Sequence, residues 1–370
     1  MSRFTTVTPA HNTPPKVRGR SLGEHRDTPR QRLRITILIP AHNEERSIRA
    51  CVESCLAQSR PADEIIVVND GSTDRTAEIL AGFGERIKVI TIPTATGNKS
   101  HAQEYGLRFV TGDVFIATDG DTIVDRDFVR YIEEDFGDQK TTAVAGYVRS
   151  QKHNWLTACR AFEYAVGQNL HKLAQHHIGY LFVIPGAAGA FRTRDFFNYI
   201  TFEHDTLTED LDFTYRLHKQ GLRIFYDRRA VVFTQDPTTL HAYINQMRRW
   251  FGGGWQCLMK HLPLATREPK VALELTLMYA EGVFFSLLLF ILPLISIRVY
   301  VAFIASYLLV ACAFALFAAW RERRWGLLLI PIPYFFLVFI NSYIFLEQFV
   351  KEVVLRKKNL YWFKPERILA

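Results

Sequence analysis

Downstream of residue 34 the chain runs in short apolar blocks separated by polar turns. Residues 35–39 are a short apolar run with one Thr, closed by Pro40, the pattern of a buried strand. Residues 44–56 then repeat apolar positions at helical spacing. A second apolar run, 64–68, ends in Asn69-Asp70-Gly71. The spacing predicts a helix over 73–80 with Ser72 or Thr73 at its cap, a strand over 87–92 and a helix over 100–109. A fourth strand, 114–117, runs into Thr118-Asp119-Gly120-Asp121. Strands alternating with helices imply an α/β domain: a mostly parallel sheet with helices on both faces. Ligands bind such sheets at the carboxyl ends of the strands. Ala41-His42-Asn43-Glu44, Asn69-Asp70 and Asp119-Gly120-Asp121 all fall at such ends, so three strands aim polar groups at one rim.

Further along, 155–174 has helical spacing, and the Gly- and Ala-rich 180–192 reads as a loop permitting close backbone approach. A helix is expected over 207–218, a strand over 223–226, and a helix over 240–258 interrupted at Gly252-Gly253-Gly254. Three long apolar runs follow: 275–297 with Glu281, 299–320, and 326–346 with Asn341, Pro331 and Pro333. Each is near the ~20 residues that cross ~30 Å of hydrocarbon. The resulting plan is a disordered basic tail at 1–34, an α/β domain at 35–239 and an interfacial helix region at 240–270. Transmembrane segments at 271–350 and a basic tail at 351–370 complete it.

Composition changes this picture in three ways. The net charge of +8 concentrates in the first 34 residues and beside the apolar runs, which suits an anionic membrane surface. No aromatic and basic run resembles a nucleic-acid module, so nucleic acid is not an expected partner. The five cysteines are odd in number, and Cys51 and Cys55 lack zinc-finger spacing, so reduced, buried thiols are expected. Residues 1–34 lack the apolar core of a signal peptide, which places the α/β domain on the cytoplasmic side. Arg321-Glu322-Arg323-Arg324 marks a cytoplasmic loop by the positive-inside rule. Lys351, Arg356, Lys357 and Lys358 conflict with it, because a third crossing would put them outside. Either the last apolar segment is a re-entrant or interfacial hairpin broken by its two prolines, or the rule fails here; the reading adopted is a cytoplasmic tail.

Four clusters could carry chemistry, and each has a plainer alternative. Asp119-Gly120-Asp121 can hold a hard divalent cation and touch a ribose, or be a turn with surface aspartates. Asp70 can accept a hydrogen bond from a base N–H, or simply serve the turn Asn69-Asp70-Gly71-Ser72. Thr208-Glu209-Asp210 can place a general base at a helix start, or be an N-cap with acids in the first turn. Gln246, Arg249 and Trp250 share a helix face that can hold a diphosphate and floor a sugar, or anchor an interfacial helix.

Taken together, Asp70, Asp119-x-Asp121, Thr208-Glu209-Asp210 and Gln246-x-x-Arg249-Trp250 occur in the order and spacing of processive family 2 glycosyltransferases. The chain resembles poly-N-acetylglucosamine, chitin, hyaluronan and cellulose synthases from residue 35 onward. Ile39-Pro40-Ala41-His42-Asn43-Glu44 resembles the family's opening strand and loop, and Val68-Asn69-Asp70-Gly71-Ser72-Thr73-Asp74 is typical of it. The resemblance implies a GT-A fold followed by transmembrane helices, an inverting reaction, a UDP-sugar donor and Mg²⁺ or Mn²⁺. It implies that Asp70 reads uracil, Asp119 touches the nucleotide, Asp121 ligates the metal and Asp210 is the base. Gln246, Arg249 and Trp250 would hold diphosphate and acceptor, with Lys99 on the donor phosphates. Ala41, His42, Glu44 and Glu209 complete the expected substrate site, and residues 186–192 resemble the loop beside the acceptor. His42 stands where Tyr is common, and Glu104 where the segment after Lys99 usually ends in Asn.

The expected activity is transfer of N-acetylglucosamine to a growing β-linked polysaccharide by a multi-pass cell-membrane enzyme. The enzymatic alternative is a lipid acceptor, giving a glycosyl-ceramide or glycosyl-diacylglycerol. A homo-oligomer or export partner is expected if product is exported, since the spans are few. A non-catalytic membrane scaffold is the remaining alternative, and the full carboxylate set argues against it.

Overall fold

The computed structural model describes residues 32–200, 203–265 and 275–358. The expected basic tail lies outside these residues except for 32–34, as do the last part of the C-terminal tail and residues 266–274 of the junction before the membrane segments. From β1 (Ile35–Ala41), the chain forms α1 (Ile48–Leu56), β2 (Glu64–Asp70), α2 (Thr76–Ala81), β3 (Lys88–Ile92), α3 (Lys99–Leu107) and β4 (Val114–Ala117). These four strands make the parallel half of the sheet, in the order β3-β2-β1-β4. Their apolar runs are buried on both faces, as a parallel sheet between helices requires.

The second half departs from the simple pattern. It contains β5 (Ile123–Val124), α4 (Phe128–Asp135), β6 (Thr141–Ser150), β7 (Gly189–Arg192), α7 (Thr193–Tyr199) and β8 (Arg223–Thr234). The full order among described residues is β3-β2-β1-β4-β7-β6-β8-β5, with β7 antiparallel to both β4 and β6. Part of the segment expected as a loop over 180–192 is therefore a strand. The strand expected over 223–226 extends to Thr234, passing an irregularity opposite β6. Between β6 and β7 lie α5 (Trp155–Val166), a π-helical turn (Gly167–Lys172) and α6 (Leu173–Ile178).

Two helix starts are later than expected because side chains capture the early N–H groups. Glu44 N–H donates to Thr76 Oγ1 at 2.8 Å and Glu45 N–H to the Asp74 carboxylate at 3.0 Å, which delays α1. Thr73 N–H goes to Asn43 Oδ1 at 2.8 Å and Thr76 N–H to Asp74 at 2.9 Å, which delays α2. These bonds interlock the loops after β1 and β2. Gly71 completes the lock: its φ is +57°, and a Cβ there would lie 2.2 Å from the Ala95 nitrogen, so only glycine fits.

α8 (Glu209–Lys219) precedes β8, and α9 (Leu240–Ala265) follows it as one continuous helix. The three glycines do not interrupt α9. They let three neighbours approach: a Cβ at Gly253 would meet Thr208 at 2.6 Å, one at Gly254 the Tyr279 hydroxyl at 3.0 Å, and one at Gly252 Gln348 at 3.0 Å. Packing against these neighbours offsets the poor helix propensity of glycine, about 1 kcal/mol per residue.

Three helices are long and apolar enough to cross a membrane: 277–295, 297–322 and 331–354. The first contains α10 (Glu281–Ile295), the second is α11 (Ile297–Glu322), and the third contains α12 (Pro331–Gln348). α11 is about 39 Å long at 1.5 Å per residue, enough to cross. Its last residue returns to the α/β unit. The Glu322 carboxylate accepts from Tyr147 Oη at 2.6 Å, Arg149 at 2.8 Å and Asn169 at 2.8 Å. α10 starts beside the same unit: Tyr279, just before it, packs on Phe182 as well as on Trp255 of α9. The pair is thus a hairpin with both open ends on the α/β unit.

α12 behaves differently. It lies along α9 and α5: Tyr334 meets Phe162, Tyr243 Oη donates to Asn341 at 2.9 Å, and Arg248 pairs with Glu347 at 2.9 Å. Phe349, one turn further on, packs on Trp255. Pro331 opens this helix and Pro333 sits in its first turn, where a missing N–H costs nothing. The prolines therefore start the segment instead of breaking it.

Candidate active site

The polar rim at the strand ends opens into one cavity of about 1500 Å³. It is lined by Ala41, His42, Glu44, Asp70, Lys99, Asp119, Asp121, Glu209, Asp210, Gln246, Arg249 and Trp250, so every residue singled out above meets in one space. The cavity continues past Tyr164 and Gln168 to Leu277, Met278, Phe285, Tyr307, Val310 and Phe314 on the apolar hairpin.

The rim is built by the interlocked loops. His42 Nδ1–H donates to the Asp70 backbone carbonyl at 2.6 Å, and its Nε2 accepts from Asn43 Nδ2 at 3.2 Å, an arrangement that selects one tautomer. The buried Asp70 carboxylate accepts from Thr96 N–H at 2.9 Å and Thr96 Oγ1 at 2.7 Å. One further lone pair on each oxygen is left for a base N–H. Asp119 is ion-paired with Lys99, whose ammonium also lies 3.7 Å from Glu209. Burial opposes the charged ammonium, but Asp119, Glu209 and Asp210 outweigh it and hold its pKa above the usual lysine value. Asp121 is buried beside this pair and lines the cavity. Two carboxylates two residues apart, at an oxygen-rich rim, fit a hard divalent cation.

Asp210 is the second residue of α8 and lines the same cavity. Its Oδ1 accepts from Leu211 N–H at 2.9 Å and its Oδ2 from Gly186 N–H at 3.3 Å. Burial, then repulsion from Glu209, pushes its pKa up to about 6, against the pull of Lys99 and Arg249. A carboxylate poised there can take a proton near neutral pH, which is what a general base requires. Glu209 turns instead toward Lys99.

A family model described as "Glycosyltransferase like family 2" matches residues 31–253. The chain belongs to this family. Over 229 residues it is 31% identical to a poly-beta-1,6-N-acetyl-D-glucosamine synthase of Staphylococcus aureus (strain COL), covering 61% of this chain and 56% of that protein. The synthase of the same name from Staphylococcus epidermidis is 28% identical over 287 residues, 76% of this chain and 69% of that protein. The chain thus spans little more than half of the S. aureus relative. Among solved structures, mannosyltransferase PcManGT from Pyrobaculum calidifontis, in complex with GDP-Man and Mn²⁺, superposes with a TM-score of 0.63. It is 21% identical, and the match covers 89% of both chains, so the GT-A-like fold is shared.

In this family 2 glycosyltransferase three cavity features escaped sequence reasoning. Thr96 lies in a coil between β3 and α3, and nothing in its neighbours marks it as the clamp on Asp70. Lys172 ends the π-helical turn, is buried in the cavity wall, and is pushed down to about 8 by burial, with Asp210 pulling the other way. Arg160 holds Trp250: its guanidinium sits 4.7 Å over the indole while bonding Glu163 and Asp236. Only an Arg and an acid three apart on α5 hinted at it. The described cysteines are all free, and Cys312 on α11 is exposed where the other four are buried.

Proposed function

We propose that this chain is an inverting transferase that moves a sugar from a UDP-sugar to a hydroxyl acceptor, with Asp210 as base. The observation that carries the reading is that Asp210 lines the same cavity as Asp70, Asp119 and Asp121, within the field of Lys99. In this reading Asp70, steadied by Thr96, holds the uracil, and Asp119 and Lys99 hold the nucleotide end. Asp121, with Asp119 beside it, would ligate Mg²⁺ or Mn²⁺. A bound divalent ion would neutralise charge on the leaving diphosphate. Asp210 takes the acceptor's proton as the hydroxyl attacks from the face opposite the leaving group. Gly186 keeps that carboxylate oriented, and Trp250, stacked on Arg160, floors the acceptor site beside Gln246 and Arg249.

N-acetylglucosamine is the proposed donor sugar and a growing β-linked polysaccharide the proposed acceptor, supported by the staphylococcal relatives. The proposed setting is the cell membrane, with the catalytic unit cytoplasmic and α10–α11 as the crossing hairpin. The seat of α12 along α9 supports an interfacial third segment and a cytoplasmic C-terminal tail. A second reading, a lipid acceptor, is favoured by one feature: the cavity reaches Leu277, Phe285, Val310 and Phe314, an apolar end suited to an acyl or prenyl chain.

The test is UDP release by purified protein across a panel of UDP-sugars, followed by chloroform extraction of labelled product. Turnover of UDP-N-acetylglucosamine into an aqueous polymer supports the first acceptor, and label in chloroform the second. Release of UDP from none of the panel overturns the UDP-sugar reading.

A further inference from the structure

Outside the donor rim, α3 and the loop before α8 bring together a cluster that the transfer reaction does not use. His101 and Glu104 stand three apart on α3, hence on one helix face. His204 approaches from the loop that leads to Thr208. The ligand atoms of these three residues lie within 4.8 Å of one another. His204 Nε2 is 3.2 Å from the Glu104 carboxylate, and the His101 and His204 rings stack at 3.5 Å between centroids. Ser100 Oγ lies 2.8 Å from His204 Nδ1 and orients the ring so that Nε2 faces the cluster.

We propose that His101, Glu104 and His204 form a second cation site, distinct from Asp119 and Asp121, for Zn²⁺ or a similar late transition metal. Two imidazoles and one carboxylate are a zinc ligand set that leaves a position for water. Imidazole donors select such ions over Mg²⁺, which prefers an all-oxygen shell. The Ser100 hydroxyl behind His204 is the outer-shell bond that a ligating imidazole uses to hold its orientation. The site spans two elements with catalytic neighbours. Lys99 opens α3 next to it, and Glu209 and Asp210 follow its loop. A bound ion staples that loop to α3 and so fixes the wall between the donor rim and the base.

The test uses untagged full-length protein in detergent, stripped by a chelator and titrated with Zn²⁺ and, separately, with Co²⁺. The expected result is a Zn²⁺ ion that still binds Asp121→Asn but binds His204→Ala at least ~10-fold more weakly. Glu104→Gln weakens it by less. Visible Co²⁺ absorption is expected in wild type and absent in His204→Ala. Zn²⁺ should raise the melting temperature of wild type and leave that of His204→Ala unchanged. Retained UDP binding by His204→Ala shows that the variant is folded. Equal Zn²⁺ affinity in wild type and His204→Ala, loss of all Zn²⁺ binding in Asp121→Asn, or no Zn²⁺ binding by wild type overturns the proposal.

Discussion

The two ends of the cavity are built by opposite means. At the charged end, short loops after three parallel strands each place an acid or its clamp, and hydrogen bonds within and between these adjoining loops order them: Asn43 with Thr73, Glu44 with Ser47, Asp70 with Thr96. At the membrane end, the wall comes from α5, α9, α10 and α11, which lie far apart in sequence and meet through packing and a few buried polar seams such as Glu322 with Tyr147. The donor end is charged and rigidly hydrogen-bonded, and the other end is apolar with aromatic side chains. On the proposed reading, substitutions at one end should alter leaving-group chemistry and at the other acceptor choice, each without the other.

The largest effect is expected at the charged end. Asp121→Asn should lower transfer by at least ~100-fold and remove the divalent-ion dependence of UDP binding, because a charged oxygen ligand is lost. Steady-state rates and UDP titrations with and without EDTA check this. A normal rate, together with EDTA resistance in the wild type, would contradict the metal role.

At the apolar end, Val310→Trp should fill the arm while leaving the donor rim intact. Transfer is expected to fall roughly tenfold with unchanged UDP affinity, a loss of about 1.4 kcal/mol in acceptor handling. Equal losses in both measurements would show that the two ends are not separable.

The smallest effect is expected for the Asp70 clamp. Thr96→Ala removes one hydrogen bond to a carboxylate, about 1.5–3 kcal/mol at most and less where water can replace it. UDP affinity measured by calorimetry should weaken several-fold to tenfold, with the melting temperature little changed. An unaltered affinity would remove Asp70 from uracil recognition.

This contrast also explains what could be read from the sequence. β1, β2 and β4 are dominated by apolar residues, and each runs into polar residues that line the rim, so strand pattern and chemistry pointed to one place. β6 and β7 were harder. Thr141-Thr142-Ala143 and Gly189-Ala190 are small residues without strong alternation, and their strand state comes from pairing with each other, and from pairing of β6 with β8 and of β7 with β4. The Gly252-Gly253-Gly254 run looked like a break because the neighbours that need its space, Thr208, Tyr279 and Gln348, are distant in sequence. The length of the third apolar segment was plain, but its seat along α9 depends on partners such as Tyr243 and Arg248 that periodicity does not reveal.

The central claim is that Asp210, not Glu209, deprotonates the acceptor. Its ionised form is needed, and burial and Glu209 raise its pKa to about 6. Activity carried by that form is present above this pH and lost as pH falls through it. The decisive measurement is kcat/KM for transfer against pH, with UDP affinity, in wild type, Asp210→Asn and Glu209→Gln. The expected result is an acidic limb near pH 6 in wild type. Asp210→Asn should bind UDP nearly as wild type yet transfer at least ~100-fold more slowly, within the 10²–10⁴ range of general-base catalysis, and Glu209→Gln should lose less. An Asp210→Asn enzyme that transfers at the wild-type rate, or that fails because UDP no longer binds, would contradict the account.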